Sequence, residues 1–317
     1  MKTTTKFIVF HPSVQKAAGA GAGHRAWLVV FVLFFIFTFV FTLVTTKEFS
    51  TASAADSSGG AAASRLPQPL ADALIHYAIE NSTAATSGRM SPAEIKSVAS
   101  VLRRCAAPCN LLVFGLTHET LLWHALNHHR GGGGGGGRTV FVGENSYQIS
   151  KMEEVQPWIE AYDVQFATKV RELPELMDHY RREARKECRP VQNLLFSDCR
   201  LAINDLPNHV YDLAWDVILV DGPPGYAAEA PGRMAAIFTA GVLARTRRAA
   251  RGTHVFVHQI EREVEKVCSQ EFLCPQNLVE IKDSLAHFLI NNNNNNNNDN
   301  YEMGFCSNLE SSGKSTI

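Results

Sequence analysis

Short apolar runs alternate with stretches of helical periodicity between residues 110 and 258, and no other feature constrains the fold of this chain as strongly. The runs are rich in Val, Leu, Ile and Phe, which is typical of strands that are buried on both faces of a parallel sheet. Parallel neighbours need long crossover connections, and helices between the strands supply them. The alternation therefore predicts an α/β domain with a doubly wound, mostly parallel sheet.

The apolar runs and the periodic stretches also give approximate positions for the elements. Strands are predicted at residues 110–114, 138–142, 162–168, 216–220 and 253–258. Helices are predicted after Thr117, which is a candidate cap, and at residues 173–189 and 233–245. Residues 285–290 are compatible with either an edge strand or a last helical turn.

Two single-residue repeats interrupt the chain. Residues 131–137 are all glycine and residues 291–298 are all asparagine, and neither composition can bury enough apolar surface to fold. The glycine run is predicted to be a loop insertion, and residues 291–317 a low-complexity tail. Because 45% of the 317 residues are hydrophobic and 19% are charged, a core is available, and we assign it to one domain over residues 69–290.

A long uncharged stretch lies near the N-terminus. Residues 26–44 carry no charged side chain, and as a helix they would nearly span the ~30 Å hydrocarbon core of a bilayer. The apolar run of a cleavable signal peptide is shorter, at about 7–15 residues. Residues 26–44 are therefore predicted to be an uncleaved transmembrane anchor, with cleavage after the small residues 52–54 as the alternative.

The charges on either side orient this anchor. Four Lys and Arg side chains lie in residues 1–25, whereas Lys47 on the far side is balanced by Glu48. This bias predicts a cytosolic tail over residues 1–25 and a lumenal domain, joined by a flexible stem over residues 45–68. Golgi carbohydrate-modifying proteins share this layout, so we expect a single-pass type II protein of the Golgi membrane.

Cysteine content and net charge narrow the functional classes. The seven cysteines lack the spacing of a zinc knuckle, so disulfides are predicted with their pairing left open, and the odd count leaves at least one thiol free. Asn81-Ser82-Thr83 is a candidate glycosylation site in a lumenal domain. A net charge of -1 offers no basic surface, so no nucleic acid is expected as a partner. The chain also lacks Asp-x-Asp and G-x-S-x-G, which disfavours one class of sugar-nucleotide transferases and serine hydrolysis.

Candidate ligand-binding residues follow the predicted strands, because ligands of doubly wound sheets bind beyond the carboxyl ends of the strands. Gly115 ends the first strand and allows close backbone approach, but the absence of GxGxxG disfavours a dinucleotide. Glu144 lies 22 positions after Gly115 once the seven inserted glycines are removed, near the ~20 expected of an acid that binds ribose hydroxyls. A solvated loop acid is the alternative for Glu144.

Asp221 and His258 end two further strands. Asp221 leaves the most apolar run and enters a stiff Pro/Gly turn, where its carboxylate could hold a divalent metal or accept the proton of a substrate hydroxyl. The alternative is a turn-forming Asp that bonds its own backbone. His258 is a candidate proton acceptor, or else a strand-end histidine that is simply hydrogen-bonded.

Several motifs in this order resemble the plant irregular-xylem-fifteen family of xylan-biosynthesis proteins. They are APCN and GLTHETLLW within residues 107–123, RTVFV at 138–142, RPVQNLLFSD at 189–198 and WDVILVDGP at 215–223. The resemblance covers residues 69–290 and includes the N-terminal anchor. It implies a Golgi membrane protein of secondary-wall glucuronoxylan synthesis, similar to the glucuronoxylan 4-O-methyltransferases, with a domain that resembles S-adenosylmethionine-dependent methyltransferases.

The resemblance also implies roles for the strand-end residues. Gly115, Thr117 and Glu144 would flank S-adenosylmethionine, and Asp221 would face the sugar hydroxyl or a divalent metal ion. His258 is predicted to be a second catalytic residue from its strand-end position alone, and the resemblance does not add to that role. The implied reaction is methyl transfer to the 4-hydroxyl of glucuronic acid side chains, with glucuronoxylan or another xylan polymer as partner.

Two departures from the methyltransferase pattern support an alternative. Thr117 stands where that branch has a further glycine, in GLTHET against GLGHDS, which crowds the donor. Gln259 stands where an aspartate is expected in a VHD motif, so that a ligand or base has lost its charge. Both favour a non-catalytic assembly or chain-length factor that binds xylan or other xylan-synthesis proteins.

Overall fold

The computed structural model describes residues 27, 29–39, 66–82, 88–106, 108–127, 137–246, 252–291 and 304–306. The chain divides into two compact units, Met1–Ala62 and Ala63–Ile317. In the first unit, helix α1 covers residues 29–39. No helix among the described residues is both long and apolar enough to cross a membrane.

Most segments predicted to lie outside the packed core are not among the described residues. This holds for the predicted tail at 1–25, for all but the ends of 45–68 and 131–137, and for most of 291–317. The assignments of a cytosolic tail, a stem, a glycine insertion and a low-complexity tail therefore stay predictions.

The second unit contains a seven-stranded sheet. Its strands are β1 (Leu111–Phe114), β2 (Thr139–Gly143), β3 (Glu160–Asp163), β4 (Val217–Val220), β5 (Thr253–His258), β6 (Leu278–Lys282) and β7 (Leu285–Ile290). Their order across the sheet is β3-β2-β1-β4-β5-β7-β6. The first five are parallel to one another, and β7 is antiparallel to both of its neighbours. This topology confirms a mixed α/β fold with a mostly parallel sheet, and it is compatible with a methyltransferase-like fold.

Helices connect the strands and flank the sheet. They are α2 (Gln68–Ser82), α3 (Pro92–Arg104), α4 (Thr120–Asn127), α5 (Ser146–Val155), α6 (Leu173–Glu183), α7 (Asn208–Asp212), α8 (Met234–Thr246) and α9 (Glu263–Phe272). Short 3₁₀ segments lie at Val170–Glu172, Leu194–Phe196 and Pro275–Asn277.

The core has two layers because successive residues of a strand point to opposite faces. Leu112 and Phe114 of β1 belong to a cluster that includes side chains of α6, α8 and α9. Leu111 and Val113 belong to a second cluster, which includes side chains of α2, α3 and α4. Burial on both faces explains why the central strands are continuous apolar runs in the sequence.

Two predicted elements differ in length from the observed ones. Strand β3 pairs with β2 through Glu160–Asp163, so the strand predicted at 162–168 starts earlier and stops sooner. Gln165 instead donates its backbone N–H to the Asp205 carboxylate, which takes the chain away from the sheet. The helix predicted at 173–189 ends at Glu183, whose carbonyl accepts the N–H groups of Lys186 and Cys188.

The end of the sheet also differs from the prediction. Leu285–Ile290 is a strand, but it lies inside the sheet between β5 and β6. The edge is β6, which the sequence did not reveal. Only five residues long, β6 mixes charged and apolar side chains, so it lacks the continuous apolar run that marks the central strands.

Three disulfides confirm the prediction of an oxidised cysteine set with one free thiol. They join Cys105 to Cys109, Cys188 to Cys199 and Cys274 to Cys306, and the buried Cys268 is free. Thr83 of the predicted glycosylation triplet lies outside the described residues, so glycosylation stays a prediction.

Candidate functional site

Four of the five predicted site residues line a single pocket. This pocket, of about 200 Å³, lies beyond the carboxyl ends of β1, β2 and β4 and is lined in part by Gly115, Thr117, Glu144 and Asp221. A second pocket of about 680 Å³ adjoins it, because Leu116, Thr117, Gln148 and Asp221 line both. We call the first the inner pocket and the second the outer pocket. Their position is the one at which doubly wound sheets bind ligands.

Gly115 allows two turns to touch. Its φ of +118° lies in the left-handed region, and a Cβ atom there would come within 2.9 Å of the Asp221 carbonyl carbon. A Cβ on Gly222 would come within 2.6 Å of the Gly115 Cα atom. The close backbone approach predicted at Gly115 is therefore made by the turn after β4, and this contact brings Asp221 to the inner pocket.

Thr117 stabilises the turn that leads into α4, which begins at Thr120. Its Oγ1 accepts a hydrogen bond from the Glu119 backbone N–H at 3.3 Å, and its own N–H donates to Thr120 Oγ1 at 3.0 Å. These bonds satisfy backbone groups at the helix start. Thr117 thus has a structural role in addition to its place at the pocket wall.

Glu144 is the exposed acid of the inner pocket. Burial raises the pKa of its carboxyl group, and among the described residues it has no ion pair or hydrogen bond. Phe166 lies across the same pocket and Leu116 packs against the Cα atom of Gly143, so apolar surface adjoins the carboxylate. A carboxylate beside apolar surface suits a ligand that has both hydroxyl groups and an apolar part.

Asp221 is almost completely buried and forms an ion pair with His258. Asp221 Oδ1 lies 2.6 Å from His258 Nδ1, and His258 Nε2 lies 3.5 Å from Glu94 Oε2. Burial alone would lower the pKa of His258, but its bonds to Asp221 and Glu94 raise that pKa to about 9. At neutral pH the ring is a cation held between two carboxylates, and it fixes the orientation of Asp221.

Glu94 reaches this site from the first turn of α3. It forms a capping box with Ser91, and its carboxylate also accepts the backbone N–H of Ser284 at 2.7 Å. Burial would raise the pKa of Glu94, but the bonds from His258 and these N–H groups lower it. Glu94 therefore remains an anion and serves as the second counter-ion of His258.

Arg233 lies beneath the turn that follows β4. Its side chain is 2% exposed, and its Nη2 lies 3.6 Å from Asp221 Oδ1. Burial lowers the pKa of Arg233, while Asp221 and Glu265 raise it. Sequence reasoning missed Glu94, Arg233 and Glu265, because a single charged residue at a helix start resembles ordinary solvated surface.

The surroundings of Asp221 do not fit a divalent metal ion. Its charged neighbours are the cations His258 and Arg233, and among the described residues no second acid shares the position. Within that part of the chain, the group of potential ligands that does come together is Cys105, Cys109 and Asp216, but both thiols are in a disulfide. The metal predicted at Asp221 is therefore not supported by the geometry.

Gln259 is not among the residues that line the inner or outer pocket. Its backbone has a φ of +61°, and its Oε1 accepts a hydrogen bond from Arg262 Nη1 at 2.9 Å. Glutamine at position 259, where the family pattern has aspartate, therefore changes a contact behind the pocket wall. It does not remove a group from the pocket itself.

Comparison with known proteins shows which family this chain belongs to. The family described as IRX15/IRX15L/GXM matches residues 93–288. Protein IRX15-LIKE of Arabidopsis thaliana is 50% identical over 303 residues, which cover 91% of this chain and 90% of that protein. Protein IRREGULAR XYLEM 15 of the same plant is 47% identical over 332 residues, covering 99% and 98%. Glucuronoxylan 4-O-methyltransferase 1, also from Arabidopsis thaliana, is 37% identical over 245 residues, covering 77% and 82%.

Proposed function

Because the chain belongs to the IRX15/IRX15L/GXM family, as its motifs indicated, we propose that it acts in xylan biosynthesis as an S-adenosylmethionine-dependent O-methyltransferase. The proposed acceptor is the 4-hydroxyl of glucuronic acid side chains of glucuronoxylan. One observation carries this proposal: Gly115, Thr117, Glu144 and Asp221 line a single pocket at the carboxyl edge of the sheet.

The inner pocket is the proposed donor site. When bound, S-adenosylmethionine supplies an electrophilic methyl group. Glu144 would accept hydrogen bonds from the ribose hydroxyls, and Phe166 would give the base an apolar surface. The inner pocket opens onto the outer one at Leu116, Thr117 and Asp221, so a donor and an acceptor can meet there.

Asp221 is the proposed proton acceptor for the sugar hydroxyl. Its Oδ1 is held by His258, so its second carboxylate oxygen is the one assigned to the hydroxyl. His258 keeps its own proton and acts as a positioning residue. The His258 ring and Arg233 lie beside Asp221 and compensate its negative charge in this nearly buried place.

The outer pocket is the proposed acceptor site. Its walls include the cationic side chains of Arg89 and Lys151, which suit the carboxylate of a sugar acid. Tyr147, 74% exposed at the same wall, offers an aromatic face to a sugar ring. Arg89 Nη2 lies 2.7 Å from His118 Nε2, which holds the guanidinium in place.

A non-catalytic role in xylan synthesis is the second candidate. Leu116 packs against Gly143 and occupies part of the crevice between the ends of β1 and β2, where a donor would lie. A protein of this kind would hold xylan or other xylan-synthesis proteins through the outer pocket and would not bind the donor.

We further propose a type II location in the Golgi membrane. The uncharged run at residues 26–44 and the basic residues that precede it support this location, as does the presence of three disulfides. Protease protection of the domain in sealed Golgi vesicles tests it, and digestion of the domain in intact vesicles would contradict it.

Calorimetric titration of the full-length protein in detergent with S-adenosylmethionine tests the enzyme proposal. We expect saturable binding, and transfer of labelled methyl groups to glucuronoxylan that carries unmethylated glucuronic acid. Asp221→Asn should bind the donor but transfer methyl groups at least about 100-fold more slowly. Undetectable donor binding at millimolar concentration, with retained binding of glucuronoxylan, would instead favour the non-catalytic role.

A further inference from the structure

The turn after β4 directs its carbonyl oxygens towards two arginine side chains. Arg233 donates to the carbonyl of Asp221 at 3.0 Å and to that of Pro223 at 2.9 Å. It also donates to the carbonyl of His258 at 2.7 Å. All of these bonds are buried, and a neutral side chain could not supply so many donors in one plane.

Arg262 takes up the next two carbonyls of the same turn. Its Nη1 donates to the Pro224 carbonyl at 2.6 Å, and its Nη2 donates to the Gly225 carbonyl. The Nη1 atom also donates to Gln259 Oε1 at 2.9 Å. Except for Gly222, every residue of the turn from Asp221 to Gly225 therefore offers its carbonyl oxygen to a guanidinium group.

Glu265 is the counter-ion that the two arginines share. Its Oε1 lies 3.7 Å from Arg233 Nε and 3.4 Å from Arg262 Nη1. The side chain is 1% exposed, and within the described chain neither carboxylate oxygen has a hydrogen-bond partner. Opposite charges thus alternate along a chain of contacts through Glu94, His258, Asp221, Arg233, Glu265 and Arg262.

Gly225 allows the guanidinium of Arg262 to approach. Its φ is +61°, and a Cβ atom there would lie 3.0 Å from Arg262 Nη2. Carbonyl oxygens that converge repel one another unless a cation lies among them, and this is the arrangement by which hard metal ions are bound. Here the charge among the oxygens belongs to the protein itself.

We propose that Arg262 is a positioning residue and that, with Arg233 and Glu265, it forms an arginine clamp which takes the place of a bound metal ion. The clamp holds the turn after β4 in shape and thereby turns Asp221 towards the two pockets. It acts through the backbone carbonyls and needs no contact with a ligand. This inference rests on the geometry of the turn and holds whether or not the chain transfers methyl groups.

The residue at position 259 contacts the clamp and can affect its strength. The Gln259 side chain accepts from Arg262, so an aspartate there would pair with the guanidinium by a charge-assisted bond. The residue at 259 would then tune the clamp, and its change from aspartate to glutamine would loosen the turn without removing a catalytic group.

Thermal unfolding of the full-length protein in detergent tests the clamp. Arg262→Gly should lower the unfolding midpoint by roughly 5–10 °C, because three oxygens lose their cation and Glu265 keeps only Arg233 as a counter-ion. Millimolar methylguanidinium should restore at least half of that loss, since it can enter the space that the side chain leaves. The unfolding midpoint of Arg262→Lys should lie between those of the wild type and Arg262→Gly, because an ammonium group satisfies fewer carbonyls at once than a guanidinium.

Two further measurements separate positioning from general stability. Gln259→Asp should raise the midpoint in the wild-type background and not in Arg262→Gly. As pH rises through the raised pKa of His258, about 9, the ring loses its charge and the ion pair with Asp221, so the protein should lose stability. This loss should be smaller in Arg262→Gly, because a loosened turn holds Asp221 less firmly against the ring.

Arg200→Gly is the matched control, because Arg200 pairs with Glu175 at 2.7 Å on the surface with both side chains largely exposed. Its midpoint should change by less than about 2 °C and should not respond to methylguanidinium. The clamp is overturned if methylguanidinium fails to restore Arg262→Gly, or if Gln259→Asp raises the midpoint equally in the wild type and in Arg262→Gly. It is also overturned if chelation of metal ions lowers the wild-type midpoint. None of these readouts requires donor binding, so a failed methyltransferase assay leaves them intact.

Discussion

The two halves of the pocket region are built in opposite ways. At the ends of β1 and β2, Glu144 is exposed and has no ionic partner among the described residues. At the ends of β4 and β5, Asp221 and His258 are nearly buried, and each member of their charge cluster has a counter-charge within 3.7 Å. The first half, which we call the open half, can adapt to a ligand. The second, which we call the closed half, is fixed before any ligand arrives, so little conformational entropy is lost there on binding.

The largest expected effect concerns stability in the closed half. Arg233→Met removes a cation from between Asp221 and Glu265 and should lower the free energy of unfolding by about 3–5 kcal/mol. Urea denaturation followed by circular dichroism measures this. Arg245→Met, at the other end of α8, is the matched buried control, because Arg245 also bonds backbone carbonyls but does not contact Asp221. If only Arg245→Met destabilised the protein, the closed half would not depend on its charges.

The second expected effect is a pH dependence that arises from His258. Because its pKa is raised from 6.5 to about 9 on folding, its stabilising contribution is complete below pH 6.5 and is lost as pH rises through 9. The difference amounts to about 3 kcal/mol at most. Urea denaturation between pH 6 and 10 should show a steeper loss for the wild type than for His258→Gln. Parallel curves for the two proteins would contradict the ion pair.

The third effect belongs to the open half and appears in binding rather than stability. Glu144→Gln should weaken S-adenosylmethionine binding about 10-fold, because a charged acceptor for the ribose hydroxyls becomes neutral. The unfolding midpoint should stay the same or rise slightly, since burial disfavours the carboxylate. Glu153→Gln, an exposed acid on α5, is the control and should leave the donor affinity unchanged. An unchanged affinity in Glu144→Gln would remove Glu144 from the donor site.

The smallest expected effect concerns Thr117, at the boundary of the two pockets. Thr117→Gly removes the 3.3 Å bond to Glu119, and glycine replaces a cap at a cost of only a few tenths of a kcal/mol. If Thr117 crowds the donor, calorimetry should show tighter S-adenosylmethionine binding in this variant. Weaker binding would mean that the cap holds the pocket wall in place.

The sequence predicted the parts of the fold that depend on continuous burial. The strands β1 and β4 are apolar throughout, and β5 has an apolar centre, because both faces of these strands are covered, and the sequence shows this directly. Gly115, Glu144 and Asp221 could be placed together because the carboxyl ends of parallel strands meet at one edge. These inferences need only the order of the strands.

The charged contacts could not be predicted in this way. Glu94 and His258 are 164 positions apart in the sequence, and nothing near either residue indicates the other. The burial of Arg233 depends on carbonyls that converge only after the turn has formed. A buried charge is revealed by its partners, and those partners come together only in the folded chain.

The disulfide between Cys274 and Cys306 has a consequence for the asparagine run. Phe305 is 4% exposed and lies against Tyr180, Phe238 and Phe272, so the residues after the run are fastened to the domain. The segment that contains the run is therefore attached to the domain on both sides, at residue 291 and at residues 304–306. Doubling the length of a flexible connection between two fixed points costs only about 0.6 kcal/mol of free energy. Asparagine residues can therefore be gained or lost with little effect on stability, while the residues beyond them keep their place.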